Sequence, residues 1–125
     1  MTIKPVNSQE LPKPVGPYSH GVMAGDTLYI SGQQGVDPKT GEMGADVSAQ
    51  AVMALDNMGR VLDEAGLDFK HVVKTLIYLK NMADFSTIND IYARYFTELL
   101  PARSCVEVAK LPGNGLFEIE AVAVK

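Results

Sequence analysis

The stretch Phe117-Glu118-Ile119-Glu120-Ala121-Val122-Ala123-Val124 reads as a β-strand that is apolar on both sides toward its end. Successive strand side chains alternate faces, so Phe117, Ile119, Ala121 and Ala123 share one side, and Val122 and Val124 share the other with Glu118 and Glu120. Such a strand needs cover above and below. Upstream, Val22-Met23-Ala24 and Thr27 to Ser31 are β-prone runs separated by Gly25-Asp26, a pairing that suits a tight hairpin. Gly32 to Gly41 is rich in turn formers and is expected to be a loop. From Val47 the apolar positions Ala51, Leu55, Met58, Leu62 and Ala65 recur at helical spacing, with Asp46 as N-cap and Gly66 as the stop.

His71 to Lys80 is β-branched and aromatic enough to form a strand. A second helix is expected from Asp84, carrying Phe85, Ile88, Ile91, Tyr92, Tyr95, Phe96 and Leu99, and ended by Pro101. Strands from Arg103 to Ala109 and from Phe117 to Val124 close the chain. This order predicts an α+β fold with one sheet packed on one face by two helices. The other face stays uncovered within one chain, which implies a homo-oligomer.

The 125 residues are expected to form one domain spanning 1–125. Apolar and charged fractions of 46% and 21% are those of an ordinary globular protein. A net charge of -4 and the lack of any Lys/Arg run argue against nucleic acid or a membrane surface as partner. The start, Met1-Thr2-Ile3-Lys4-Pro5, has no apolar core of signal-peptide length, and no stretch is long enough to span a bilayer, so the cytoplasm is the expected location. A lone cysteine excludes an intrachain disulfide, and His20 and His71 give no metal-ligand spacing, so no metal is expected.

The chemistry concentrates in Pro101-Ala102-Arg103-Ser104-Cys105-Val106-Glu107-Val108. Arg103, Cys105 and Glu107 point one way, with Arg103 and Cys105 roughly 7 Å apart along the pleat. The guanidinium offers a planar donor fork that requires an anionic partner when partly buried, either a protein acid or a ligand. Asn89 falls on or beside the buried face of the second helix, where its amide must find partners. Glu118 and Glu120, on one strand face, need water, donors or a cation. Cys105 is either a thiol nucleophile or a small buried hydrophobe. In Gly16-Pro17-Tyr18-Ser19-His20 the proline gives Tyr18 a firm support for presenting its hydroxyl, unless it is an ordinary packed tyrosine. Ser31-Gly32-Gln33 either lets bare backbone approach a ligand or is a plain turn.

Gly16-Pro17-Tyr18, Ile30-Ser31-Gly32-Gln33, the Asn89 helix, the Pro101–Val108 block and Glu118-Ile119-Glu120-Ala121 together resemble the Rid family of reactive-intermediate deaminases, also called the YjgF family. The likeness covers nearly the whole chain. It implies a chorismate-mutase-like fold, a mixed sheet packed by two helices, assembled as a homotrimer whose sheets form a central barrel with a pocket at each subunit boundary. It also implies hydrolysis of 2-imino acids, or their enamine tautomers, to 2-oxo acids and ammonia, with no metal or organic cofactor.

By the same resemblance, Arg103 grips the substrate carboxylate and Glu118 orients and deprotonates the attacking water. Tyr18 is contributed across the boundary. Ser31, Gly32 and Asn89 match pocket positions, as does Cys105 through its backbone. Two other functions attach to this pattern: a small-carboxylate-binding or regulatory trimer without turnover, and an endoribonuclease or translation inhibitor, which the acidic charge disfavours. The link Leu99-Leu100 is shorter than in many members, and Asn81 stands where aspartate is common.

Overall fold

The computed structural model describes every residue from Met1 to Lys125. Its longest helix, α1, runs from Val47 to Glu64. Asp46 is extended and its Oδ1 accepts the Ala49 N–H at 2.8 Å, satisfying one of the free amides of the first turn. The stop is equally local: Gly66 takes φ +74°, and the Gly66 and Leu67 amides return to the carbonyls of Asp63 and Leu62. Between these ends Ala51, Ala54, Leu55, Met58, Val61 and Leu62 are buried in one stripe.

Six strands, β1 (Ile3–Val6), β2 (Gly21–Ala24), β3 (Thr27–Gln34), β4 (Val72–Leu79), β5 (Ala102–Glu107) and β6 (Phe117–Val124), form one mixed sheet in the order β1-β2-β3-β6-β4-β5. Only the β4–β5 pair is parallel. The last strand therefore lies inside the sheet, between β3 and β4. Its Phe117, Ile119, Ala121 and Ala123 are buried in a 22-residue core shared with α1 and with the second helix, α2 (Phe85–Tyr92). The expected α+β architecture is thus present, with both helices on one face. The opposite face stays open: Tyr29, Val106 and Val124 remain 54%, 41% and 40% exposed. No helix is long and apolar enough to cross a membrane.

The structure departs from the sequence reading at three places. β1 is a strand although it contains Pro5 and leaves Ile3, Lys4 and Pro5 exposed. An edge strand tolerates proline and needs no apolar alternation to form. Gly32–Gln34 continues β3 rather than opening a loop, because a bulge after Ile30 re-registers the strand so that Gln33 pairs with Ile119 and Gln34 with Glu118.

The third correction concerns α2, which ends at Tyr92 instead of reaching Leu99. Beyond it the Arg94 and Tyr95 amides bond the carbonyls three residues back, tightening the chain into turns. Packing draws them: the Phe96 ring lies 4.4 Å from Tyr92 and 5.3 Å from Phe69, and the Tyr95 hydroxyl donates to Asp56 Oδ1 at 2.9 Å.

Candidate active site

The bulge in β3 brings Gly32 against Glu118. A Cβ at position 32 would crowd the Glu118 carboxylate, so glycine lets that side chain lie against β3 in its present position. Burial, and next the negative charge of Glu120, push the Glu118 carboxyl above the usual carboxylate range. Glu120 itself accepts a hydrogen bond from the Tyr78 hydroxyl, the main reason the Tyr78 pKa is pushed up to about 12. Tyr78 is the β4 partner of Glu118 in the ladder, so Glu118, Tyr78 and Glu120 cluster on one face.

Tyr18, Ser31, Gly32 and Glu118 line a cleft of about 570 Å³ at this end of β3. The Tyr18 ring is half-exposed. Ser31 spends its hydroxyl on the Ser19 carbonyl at 2.7 Å, tying the Tyr18-bearing segment to β3. Asn57 braces the wall from α1: its Nδ2 donates to the carbonyls of Gln34 and Val36 at 3.2 and 2.9 Å, and its Oδ1 accepts from Arg60 at 2.8 Å. The signal for Asn57 was in the sequence, since a polar residue three after Ala54 and four before Val61 lies on the buried stripe.

Arg103 stands elsewhere. Its β4 partner is the buried Thr75, and that of Cys105 is the buried Ile77, so both project to the helix side of the sheet. The guanidinium carbon lies 5.4 Å from the Phe85 ring centroid and 4.9 Å from that of Tyr92, held between two aromatic faces. The chain's ion pairs join Arg60 to Glu10 and both Lys70 and His71 to Asp68, so no protein carboxylate occupies the Arg103 fork. Glu107 faces a different task, accepting the Met82 amide at 2.7 Å.

Asn89, four residues after Phe85 and three before Tyr92, lies on the same helix face as those rings. Its Oδ1 is buried and accepts no hydrogen bond. Such an orphan acceptor is costly unless a donor reaches it. Burial raises the Cys105 thiol pKa, outweighing the nearby Arg103 charge, which disfavours a thiolate nucleophile.

The predicted residues therefore form two groups. Tyr18, Ser31, Gly32 and Glu118 share the cleft, while Arg103, Cys105 and Asn89 gather around α2 and β5. Glu118 follows the buried Phe117 and points to the helix-free face, opposite to Arg103, so one chain does not bring the two groups together. Sequence reasoning missed the aromatic cradle formed by Phe85 and Tyr92, although their spacing about Asn89 was visible. It also missed the Tyr78–Glu120 bond, which depends on which strands become neighbours.

Known proteins resemble the chain over nearly its whole length. The family model described as Endoribonuclease L-PSP matches residues 8–125. The chain is 46% identical over 125 residues to the 2-iminobutanoate/2-iminopropanoate deaminase of Escherichia coli K12, covering 98% of each protein. It is also 46% identical over 119 residues to a RutC family protein of Pyrococcus horikoshii, covering 94% of each. The crystal structure of E. coli TdcF with bound serine superposes with a TM-score of 0.94 at 40% identity, over 98% of both chains. A matching model over nearly the whole chain and relatives of almost equal length place it in a family: the chain belongs to the endoribonuclease L-PSP family, the Rid or YjgF family that its motifs resemble.

Proposed function

We propose that this protein hydrolyses reactive 2-imino acids, or their 2-enamino tautomers, to 2-oxo acids and ammonia. The observation that carries the reading is the Arg103 fork, steadied by two rings and left without a protein acid, with the unpaired Asn89 carbonyl on the helix face that bears those rings. A small carboxylate with an N–H group at its α-carbon satisfies both. The deaminase name of the E. coli relative supports the reaction, and the serine held by TdcF supports a ligand of this size and charge.

Because Arg103 and Glu118 face opposite ways in one chain, the working site is built at a boundary between copies, with the open sheet face as the contact. A homotrimer whose sheets form a central barrel meets both needs, with residues 1–125 as one domain. Arg103 clamps the carboxylate bidentately and the Cys105 backbone lines the pocket, while Asn89 accepts from the imine nitrogen. From the neighbouring copy, Glu118 takes a proton from water as the oxygen bonds to the α-carbon and the C=N π electrons move to nitrogen. Glu118 returns that proton to the nitrogen to give the carbinolamine, then passes the carbinolamine hydroxyl proton to the amine, and as the C=O bond forms the C–N bond breaks and ammonia leaves. Tyr18, Ser31 and Gly32 shape the wall beside the water. Positioning supplies most of the rate, since imines already hydrolyse unaided, and the raised Glu118 carboxyl suits proton transfer near neutral pH.

Generating 2-aminoacrylate from serine with a dehydratase and following oxo-acid formation tests the reaction. Acceleration by this protein is expected, and an unchanged rate over the uncatalysed decay rejects the enzyme in favour of a carboxylate-binding protein. The wall is tested separately. Gly32→Ala drives a methyl group into the Glu118 carboxylate, and turnover is expected to fall on the order of a hundredfold with the assembly mass unchanged. Full activity in that variant would mean the carboxylate works from another position.

A further inference from the structure

His20 is buried, and the reaction above does not use it. Its Nδ1 accepts the Ser8 N–H at 3.0 Å and its Nε2 lies 2.8 Å from the Pro12 carbonyl. An acceptor role at Nδ1 places the ring proton on Nε2, which then donates to Pro12, so one tautomer satisfies both contacts. The backbone of His20 adds two more: its N–H donates to Asn7 Oδ1 at 2.8 Å, and its carbonyl accepts from Ser31 N–H at 2.9 Å. One residue thus joins Asn7, Ser8, Pro12 and β3.

The chain between Pro12 and Ser19 depends on that junction. From Lys13 to Tyr18 its only hydrogen bond is local, Tyr18 N–H to the Gly16 carbonyl at 2.9 Å. Three prolines, Pro12, Pro14 and Pro17, stiffen the segment without anchoring it. Its placement is therefore set at its ends, by His20 on Pro12 and by Ser31 on Ser19. Tyr18 lies within the segment and lines the cleft with Glu118.

We propose that His20, as its Nε2–H tautomer, is a positioning residue that fixes the Pro12–Ser19 segment, and Tyr18 with it, against the wall formed by Gly32 and Glu118. Its effect on catalysis rests on the deaminase reading; its effect on the segment does not.

The chain has no tryptophan, and Val15 is 97% exposed, so Val15→Trp places a single indole on the segment. In that background, His20→Leu is expected to lower the indole's fluorescence anisotropy and to reduce deamination kcat on the order of tenfold, with a smaller change in KM. His20→Gln keeps one acceptor and one donor and is expected to restore both readouts to within about twofold. Asn7→Ala, at an exposed position, removes only the strut to the His20 amide. It should lower the anisotropy by a smaller step, with a fall in melting temperature smaller than that of His20→Leu, and it decides the matter should the leucine variant not fold.

An indole equally rigid in the folded His20→Leu protein, or in Asn7→Ala where the leucine variant does not fold, overturns the proposal, as does failure of glutamine to restore rigidity. A loosened segment with undiminished turnover supports the strut and removes Tyr18 from the reaction. No deamination by the parent protein, with the anisotropy changes as expected, defeats the deaminase reading and leaves the strut standing.

Discussion

Arg103→Ala is expected to lower kcat/KM for 2-iminopropanoate by about a thousandfold, with the assembly intact. The guanidinium is the one cation cradled by Phe85 and Tyr92 without a protein carboxylate, so its removal leaves a bound carboxylate with no counter-charge. Truncating one partner of a buried, hydrogen-bonded charge pair costs about 2–5 kcal/mol, and each 1.4 kcal/mol is about tenfold. Folding should suffer little, because the side chain neutralises no acid in the protein. Arg103→Lys keeps the charge but loses the planar fork and the stacking geometry, and should recover only part of the loss. Steady-state oxo-acid formation, with sedimentation to follow the assembly, checks both variants. Wild-type rates in Arg103→Ala would remove the clamp.

Glu118→Gln should act on the other half of the reaction. Losing a general base typically costs about 10²–10⁴-fold, so kcat should fall in that range while affinity for a 2-oxo acid, measured by calorimetry, changes little. If Glu120→Gln proves the more damaging change, the roles of the two acids are reversed.

The same substitution has a signature in stability. Burial and the Glu120 charge raise the Glu118 carboxyl in the folded protein, so the native state binds that proton more tightly than the unfolded chain. Its contribution favours folding at acid pH and is lost as pH rises through the elevated value. Glu118→Gln should therefore melt above the wild type at neutral pH, with the gap closing as pH falls below the ordinary carboxylate range. An inactive variant that is more stable separates a functional acid from a structural one.

What the sequence disclosed depended on the range of the interactions concerned. α1 was legible from Asp46 to Gly66 because its cap, stripe and stop are local. So was the alternation in β6, which set Ile119 and Glu118 on opposite sides of the strand; the structure turns Ile119 to the core. The premature end of α2 was not, since the Phe96 and Tyr95 contacts that bend the chain are made with Phe69 and Asp56, far away in sequence. The extension of β3 through Gly32 was hidden for a similar reason, because pairing with Ile119 and Glu118 overrides the turn preference of Gly-Gln-Gln. The site residues were singled out by their chemistry, and their roles were assigned by resemblance. Their division between two sheet faces is a product of strand order, which no local pattern encodes.

That division makes the protein's genetics collective. On the boundary site proposed above, a chain lacking Arg103 and a chain lacking Glu118 each still carry the wall the other has lost, so two inert alleles expressed together in equal amounts should rebuild about one boundary in four by random mixing. A defective copy diluted among normal ones should then silence only the one junction that draws the missing residue from it. Dosage of the lesion, rather than its presence, should then set how much activity is lost.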